Sequence, residues 1–301
     1  MKIKYLISAV ILLIGVSCVK AKNQALLIGI GNYNTEATGW NKLSGANDVD
    51  LLEGKLKAKG FTVNSLKDNK ATKNNVVAAL SNLVASANPG DEIYIHFSGH
   101  GQLVEDMNND EPDGFDQSFI CYDACYSPKF TLGGSDYKGQ NHLIDDELFP
   151  FLNQLKSKVG SKGRIIIAFD SCYSGDADRG EISEDPEPDS EVEVTSITRG
   201  TNDEFLANKN AKVYLSSIKA PAQYRGAGGE VIVISACERN KRNYETKEKH
   251  SGKGYGSLSY CVSKLLDNDV PLSDWESFFS SKKYKSYRIF RPSQHPVVER
   301  H

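Results

Sequence analysis

The chain has 301 residues, with 36 Lys and Arg against 39 Asp and Glu, a net charge of −3, and a 39% hydrophobic share. That length allows one large domain or two small ones. A near balance of charge, with no basic cluster interleaved with aromatics, argues against a nucleic-acid binder.

The first stretch reads as a targeting signal. Met1-Lys2-Ile3-Lys4 is basic, Tyr5 to Val16 is apolar, and Val19-Lys20-Ala21 suits a signal peptidase, so residues 1–21 are expected to be removed before Lys22. About a dozen apolar residues are too few to span a bilayer comfortably. Ser17-Cys18 offers a second reading, a lipoprotein anchored at Cys18, although Gly15 stands where leucine is usual. Both readings export the chain, to a periplasmic, secreted or cell-surface location. Membrane attachment is expected only through Cys18.

Ala25 to Ile30 is the first apolar strand, and Asn47-Asp48 opens a helix running to about Lys59, with Val49, Leu52 and Leu56 as its apolar stripe. Asp48 near that helix start also suits the helix dipole. Phe61 to Leu66 reads as a second strand, Thr72 caps a further helix with Val76, Leu80 and Leu83 inward, and Ile93, Ile95 and Phe97 mark a third strand. Leu143 to Lys156 reads as an amphipathic helix leading to the strand Ile165–Phe169. Acids, prolines and serines dominate from Asp176 to Asn210, which predicts an exposed linker. Val231 to Ile234 resumes the sheet. Helices at Tyr255–Leu266 and Asp274–Lys282 follow, with an edge strand at Gln294–Val298. Alternating strands and helices predict an α/β fold, a mostly parallel sheet of about six strands in three layers, α/β/α.

Two strand ends carry the chemistry. Arg164-Ile-Ile-Ile-Ala-Phe-Asp-Ser-Cys-Tyr-Ser-Gly175 changes from apolar to reactive at Asp170, and Asp91-Glu-Ile-Tyr-Ile-His-Phe-Ser-Gly-His-Gly101 is built the same way. Ligands bind beyond the carboxyl ends of parallel strands, so neighbouring strands would set His100 and Cys172 across one crevice. A thiol attacks well at neutral pH when a histidine activates it. Loops also gather acids at Asp106, Asp110, Glu111, Asp113 and Asp116, and again at Asp145-Asp146-Glu147. Such oxygen ligands suit calcium, and such runs are also ordinary solvated loops. Cys121 and Cys125 are close enough in sequence to bridge or to remain two core thiols, while Cys237 and Cys261 read as core. No CxxC pair argues for zinc.

Phe97-Ser-Gly-His-Gly101 and Asp170-Ser-Cys-Tyr-Ser-Gly175 resemble the two catalytic signatures of the caspase-like cysteine peptidases (peptidase family C14), specifically the metacaspase branch of bacterial type. The resemblance runs from about Ala25 to about Leu266. It implies a His100/Cys172 dyad and an oxyanion hole from the backbone N–H groups of Gly101 and Cys172. It also implies an acidic S1 pocket of Asp48, Ser98 and Asp170 that selects Arg or Lys at P1. Gly114-Phe-Asp-Gln117 and Ile144-Asp-Asp-Glu147 resemble its calcium-binding segments, which carries a Ca2+ activator onto Asp116, Asp145 and Asp146, with Asp178 or Asp176 as fourth ligand. It divides the chain into a large part (22–180), a linker (181–212) and a small part (213–301) of one domain. A basic-specific peptidase could cut its own linker, and Arg199-Gly200 reads as the most exposed site. The expected partners are peptide or protein substrates, and the expected state is a monomer. Three other readings stay open: an Asp-specific peptidase, which needs a basic S1 pocket; a silent caspase-fold scaffold; and a redox or metal protein using Cys121 and Cys125.

Overall fold

The computed structural model describes residues 21–106, 114–126, 130, 137, 139–172, 191–200, 228–238 and 241–301. In chain order β1 (Asn23–Gly29) is followed by the short α1 (Thr35–Thr38), α2 (Gly45–Ala58), β2 (Phe61–Lys67), α3 (Lys73–Ser86) and β3 (Glu92–Ser98). Next come β4 (Gly101–Glu105), β5 (Phe115–Ile120), β6 (His142–Ile144), α4 (Asp145–Val159), β7 (Arg164–Asp170) and β8 (Val192–Thr198). The described elements end with β9 (Glu230–Ser235), β10 (Tyr244–Glu248), β11 (Gly254–Gly256), α5 (Ser257–Asp267), α6 (Trp275–Ser280) and β12 (Val297–Arg300).

Six strands form the central sheet in the order β12-β9-β7-β3-β1-β2. All its pairs are parallel except β12 on β9. Alternation along β7 shows why the strand is apolar throughout. Ile165 and Ile167 pack on the face covered by α3 and α4, beside Leu80, Leu83, Leu152 and Leu155. Ile166 and Ala168 pack on the other face with Leu52, Leu56, Leu258, Leu265 and Trp275 of α2, α5 and α6. A strand buried on both faces has no polar side to show. Each fully buried Ile or Leu side chain there stabilises the fold by roughly 1.5–3 kcal/mol. The result is the expected three-layer α/β/α arrangement, with Thr72 capping α3 through a hydrogen bond from Asn75 N–H.

Three expectations change. The helix expected from Leu143 begins at Asp145, because His142–Ile144 pairs with β5 as a strand. Asp145, Asp146 and Glu147 then fill the first turn, where acids complement the helix dipole, and Glu147 accepts a hydrogen bond from Ile144 N–H. The polar stretch after His100 builds a second small sheet, β4-β5-β6. Most important, the linker is not wholly an exposed coil. Residues 192–198 form β8, which pairs antiparallel with β10, and β11 joins the same three-stranded sheet. Among the described residues no helix is long and apolar enough to cross a membrane. The predicted leader, including Cys18, lies outside them.

Candidate active site

The sheet sets the two signature segments side by side. β3 and β7 are neighbours in register, Ser98 opposite Asp170. His100 and Cys172 both follow two residues after these ends, both buried. Gly99 is required by crowding, since a Cβ there would sit 2.8 Å from the Tyr33 hydroxyl. That hydroxyl donates to the Ile120 carbonyl and accepts from His100 N–H. The imidazole packs against Tyr33 and Trp40, with ring centroids 5.1 and 4.8 Å away.

His100 Nε2 lies 2.9 Å from the Asn41 carbonyl oxygen, which can only accept, so the ring proton sits on Nε2. Nδ1 is left with its lone pair and has no hydrogen-bond partner among the described residues. Asn41 is thus the orienting group that the sequence did not reveal. Burial, with a smaller contribution from the charge of Arg199, pushes the His100 pKa down to about 4, against the opposing bond to Asn41. The ring is a neutral base at physiological pH. The Cys172 thiol donates to the Lys241 carbonyl at 2.9 Å.

Arg199, expected on an exposed loop, is fully buried among the other candidate residues. One of its terminal nitrogens donates to Asp48 Oδ2 at 2.8 Å and to Glu245 Oε1 at 2.9 Å. The other donates to Ser98 Oγ at 2.6 Å and to the Asp170 carbonyl at 3.2 Å, with Asp170 Oδ1 at 3.7 Å. The Arg199 carbonyl oxygen accepts from Gly101 N–H at 3.1 Å and from Cys172 N–H at 3.0 Å. These two amides therefore converge on a single oxygen. A buried guanidinium needs paired acids, and three carboxylates supply them here, which is why this segment leaves solvent.

Each wall of the pocket is itself held. Asp170 accepts from Ser259 N–H and Oγ–H at 2.7 and 2.6 Å, at the start of α5, and from Asn243 Nδ2 at 2.7 Å. Buried His96 links Tyr94 to Ser259 behind it. Asp48 accepts from Ser98 Oγ–H at 2.6 Å and Gly256 N–H at 2.9 Å. Burial raises the Asp48 pKa to about 7, with Arg199 pulling down and Asp170 pushing up. Glu245 holds Ser44 N–H and Oγ–H. Gly256 closes the pocket at close quarters, since a Cβ there would stand 2.0 Å from Asp170 Oδ2 and 2.5 Å from the guanidinium. Neither Glu245 nor Gly256 was singled out from sequence. The strand Tyr244-Glu-Thr-Lys-Glu248 buries Glu245 and Thr246 in succession, so no alternation in its sequence sets Glu245 apart.

β8 continues outward from this pocket along β10. Arg199 N–H donates to the Asn243 carbonyl at 3.1 Å, and Thr198 lies opposite Tyr244. Further out, Arg291 stacks 4.1 Å over the Tyr244 ring and donates to the Thr195 carbonyl at 2.9 Å.

A second acidic group lies at β5 and the start of α4. Burial, then the charge of Asp116 and more weakly that of Asp146, raise the Asp145 pKa to about 7. Asp116 and Asp146 are buried with it. Carboxylates that repel one another suit a hard cation. Yet among the described residues no three of these side chains already stand at cation-holding positions. Asp178, Asp110, Glu111 and Asp113 lie outside the described residues. Cys121 and Cys125 are buried thiols without a bridge, and Cys125 faces the Ala37 carbonyl.

A mostly parallel six-stranded sheet with a histidine and a cysteine at neighbouring strand ends defines a caspase-fold protein. The insect caspase-1 of Spodoptera frugiperda aligns with a TM-score of 0.53 at 12% identity over 93% of this chain and 88% of that one. Protein GSU0716 of Geobacter sulfurreducens aligns at 0.57 and 22%, over 93% of both chains. Residues 23–178 match the metacaspase, peptidase C14 domain. Metacaspase-2 of Trypanosoma brucei brucei is 30% identical over 83% of this chain and 65% of its own length. Metacaspase-1 of Schizosaccharomyces pombe is 28% identical over 85% of this chain, which spans 63% of that relative. The chain belongs to the metacaspase family.

Proposed function

We propose that the protein is a cysteine endopeptidase that cleaves after Arg or Lys and first cleaves itself at Arg199-Gly200. One observation carries this reading: the Arg199 side chain fills the acidic pocket while its carbonyl oxygen lies between the amides of Gly101 and Cys172. An arginine that served only as a pocket wall would have no reason to put its carbonyl there. Carbonyl and side chain together are the posture of a bound P1 residue.

The chemistry follows from the groups present. His100 Nδ1 takes the Cys172 proton, and the sulfur attacks the Arg199 carbonyl carbon. The oxyanion gathers on the two amides, and Asn41 steadies the imidazolium through Nε2–H. The imidazolium protonates the Gly200 nitrogen as the peptide bond breaks. A water deprotonated by His100 then hydrolyses the thioester and restores the thiol. Until the bond is cut or the strand withdraws, β8 occupies the pocket and keeps the chain latent toward other substrates. Those substrates take the place of β8 along β10, held by Asn243 and by Arg291 on Tyr244.

Calcium is part of the proposal. Asp116, Asp145 and Asp146 would hold the ion, and its charge would relieve their mutual repulsion. Export also belongs to the proposal and rests on the leader; fractionation of cells that make the full chain tests it.

The test is a fluorogenic assay on the chain from Lys22 with Arg, Lys and Asp at P1, with calcium and with chelator, beside Cys172→Ala. Calcium-dependent turnover after Arg and Lys, absent in the variant, is expected. Turnover after Asp would overturn the roles of Asp48, Asp170 and Glu245. Turnover in Cys172→Ala would overturn the nucleophile.

A further inference from the structure

The nucleophile has a second thiol beside it. β7 and β9 are parallel neighbours with Phe169 opposite Ser235, and Ala236 N–H carries the ladder one step further by donating to the Phe169 carbonyl at 3.0 Å. The two chains therefore leave the sheet together, and continuing the register sets Ser171, the residue before Cys172, alongside Cys237. Both thiols reach the Lys241 carbonyl oxygen, Cys172 at 2.9 Å and Cys237 at 3.2 Å. The neighbouring Cys172 thiol, together with burial, pushes the Cys237 thiol well above the usual range. Both sulfurs lie on one carbonyl oxygen, so a short movement of either brings them into bonding contact. Cys237 also lines a cavity with Phe169, Val233 and Ser235, so that side of the pair is not packed shut. The proposed peptidase cycle uses Cys172 and has no task for Cys237.

We propose that Cys172 and Cys237 form a reversible oxidative modification site, in which Cys237 resolves a Cys172 sulfenic acid made by hydrogen peroxide. The Cys172 thiolate attacks one peroxide oxygen and the O–O bond breaks. Hydroxide leaves and takes a proton to become water, and Cys172 becomes S–OH. The Cys237 sulfur, giving its proton to solvent, then attacks the Cys172 sulfur. The S–O bond breaks, a second water leaves, and the S–S bond forms. In total, two thiols and one peroxide give one disulfide and two waters. A dithiol reductant reverses the change. While the bridge stands, Cys172 cannot attack a carbonyl, and it is also protected from irreversible sulfinic and sulfonic acids.

The test titrates the full chain from Lys22 with hydrogen peroxide, beside Cys237→Ser, and reads alkylated peptides by mass spectrometry. The mass readout does not depend on peptidase activity, so it stands even if the proposed cleavage reaction fails. In the wild type a Cys172–Cys237 linked peptide is expected, reverted by dithiothreitol. In Cys237→Ser, Cys172 is expected to accumulate sulfinic and sulfonic acid, with at least about tenfold less reduced peptide recovered after the reductant. Crosslink mapping on the wild type needs no variant, so a poorly folding Cys237→Ser still leaves a decision. The idea is overturned if wild-type Cys172 reaches sulfinic acid as fast as in the variant without a linked peptide. It is equally overturned if excess peroxide leaves Cys172 a thiol.

Discussion

Two groups of buried carboxylates in this molecule answer the same problem in different ways. Asp48, Asp170 and Glu245 surround a guanidinium from their own chain, while Asp145 feels the like charge of Asp116 and Asp146. Burial is the leading cause in both places: it raises Asp48 and Asp145 alike to about 7. The second cause separates them. Arg199 pulls Asp48 down, whereas Asp116 and Asp146 push Asp145 further up. In the first group the guanidinium balances the carboxylates from within the chain. In the second group like charge adds to burial, which is the property the calcium proposal rests on.

Asp170→Asn tests that contrast most severely. It leaves either Ser259 or Asn243 facing an amide N–H2 and removes one charge from the pocket, a loss of about 3–5 kcal/mol for a buried charge pair, so kcat/KM for Arg peptides should fall about 10^3-fold. A loss under about threefold would deny that the pocket reads charge.

Arg199→Ala removes the occupant instead. Self-cleavage at this position should vanish, and the uncut chain should turn over small Arg peptides about tenfold faster at the outset because the pocket is vacant more often. An unchanged initial rate would mean that β8 does not gate the site.

The other group should respond to calcium. Because the folded pKa of Asp145 is raised, the folded chain binds that proton more tightly than the unfolded chain, and stability without calcium should fall as pH rises from about 4 to about 7. Calcium needs the ionised form, so its stabilisation should be larger above pH 7. A Tm rise of roughly 5 °C at a hundredfold excess over Kd is expected by calorimetry. Asp145→Asn should abolish it, and an equal rise in that variant would move the ion elsewhere.

Arg291→Ala should have the smallest effect. Peptides reaching the fifth residue before the cut should lose about threefold in kcat/KM, and dipeptide reporters should lose nothing, because the bond from Arg291 to the strand in the cleft goes to the Thr195 carbonyl. Equal loss for both lengths would make Arg291 a support of the fold.

Much of this was legible in the amino-acid sequence. Unbroken apolar runs such as Ile165–Phe169 mean strands buried on both faces, and such strands are parallel with helices between them. The switch from Phe169 to Asp170-Ser-Cys marked a strand end carrying chemistry, and the same pattern at Ser98-Gly-His100 marked its partner. Local pattern was enough because period and composition are local properties. It was not enough for Asn41, whose contribution is a backbone carbonyl that any residue type supplies. Nor was it enough for Glu245, Gly256 and Cys237, which reach the site only after the chain returns through β9, β10 and β11. Arg199 is the clearest case. Its neighbours are acids and small polar residues, so by composition it belongs in solvent. The free energy that buries it comes from Asp48, Asp170 and Glu245, which lie on α2, β7 and β10 and meet only in three dimensions. The sequence alone determined the sheet, the placing of His100 and Cys172 beyond neighbouring strand ends and the acidic character of the cleft; which residue fills that cleft was decided by tertiary structure, because pairing one charge with three distant ones is a property of no single segment.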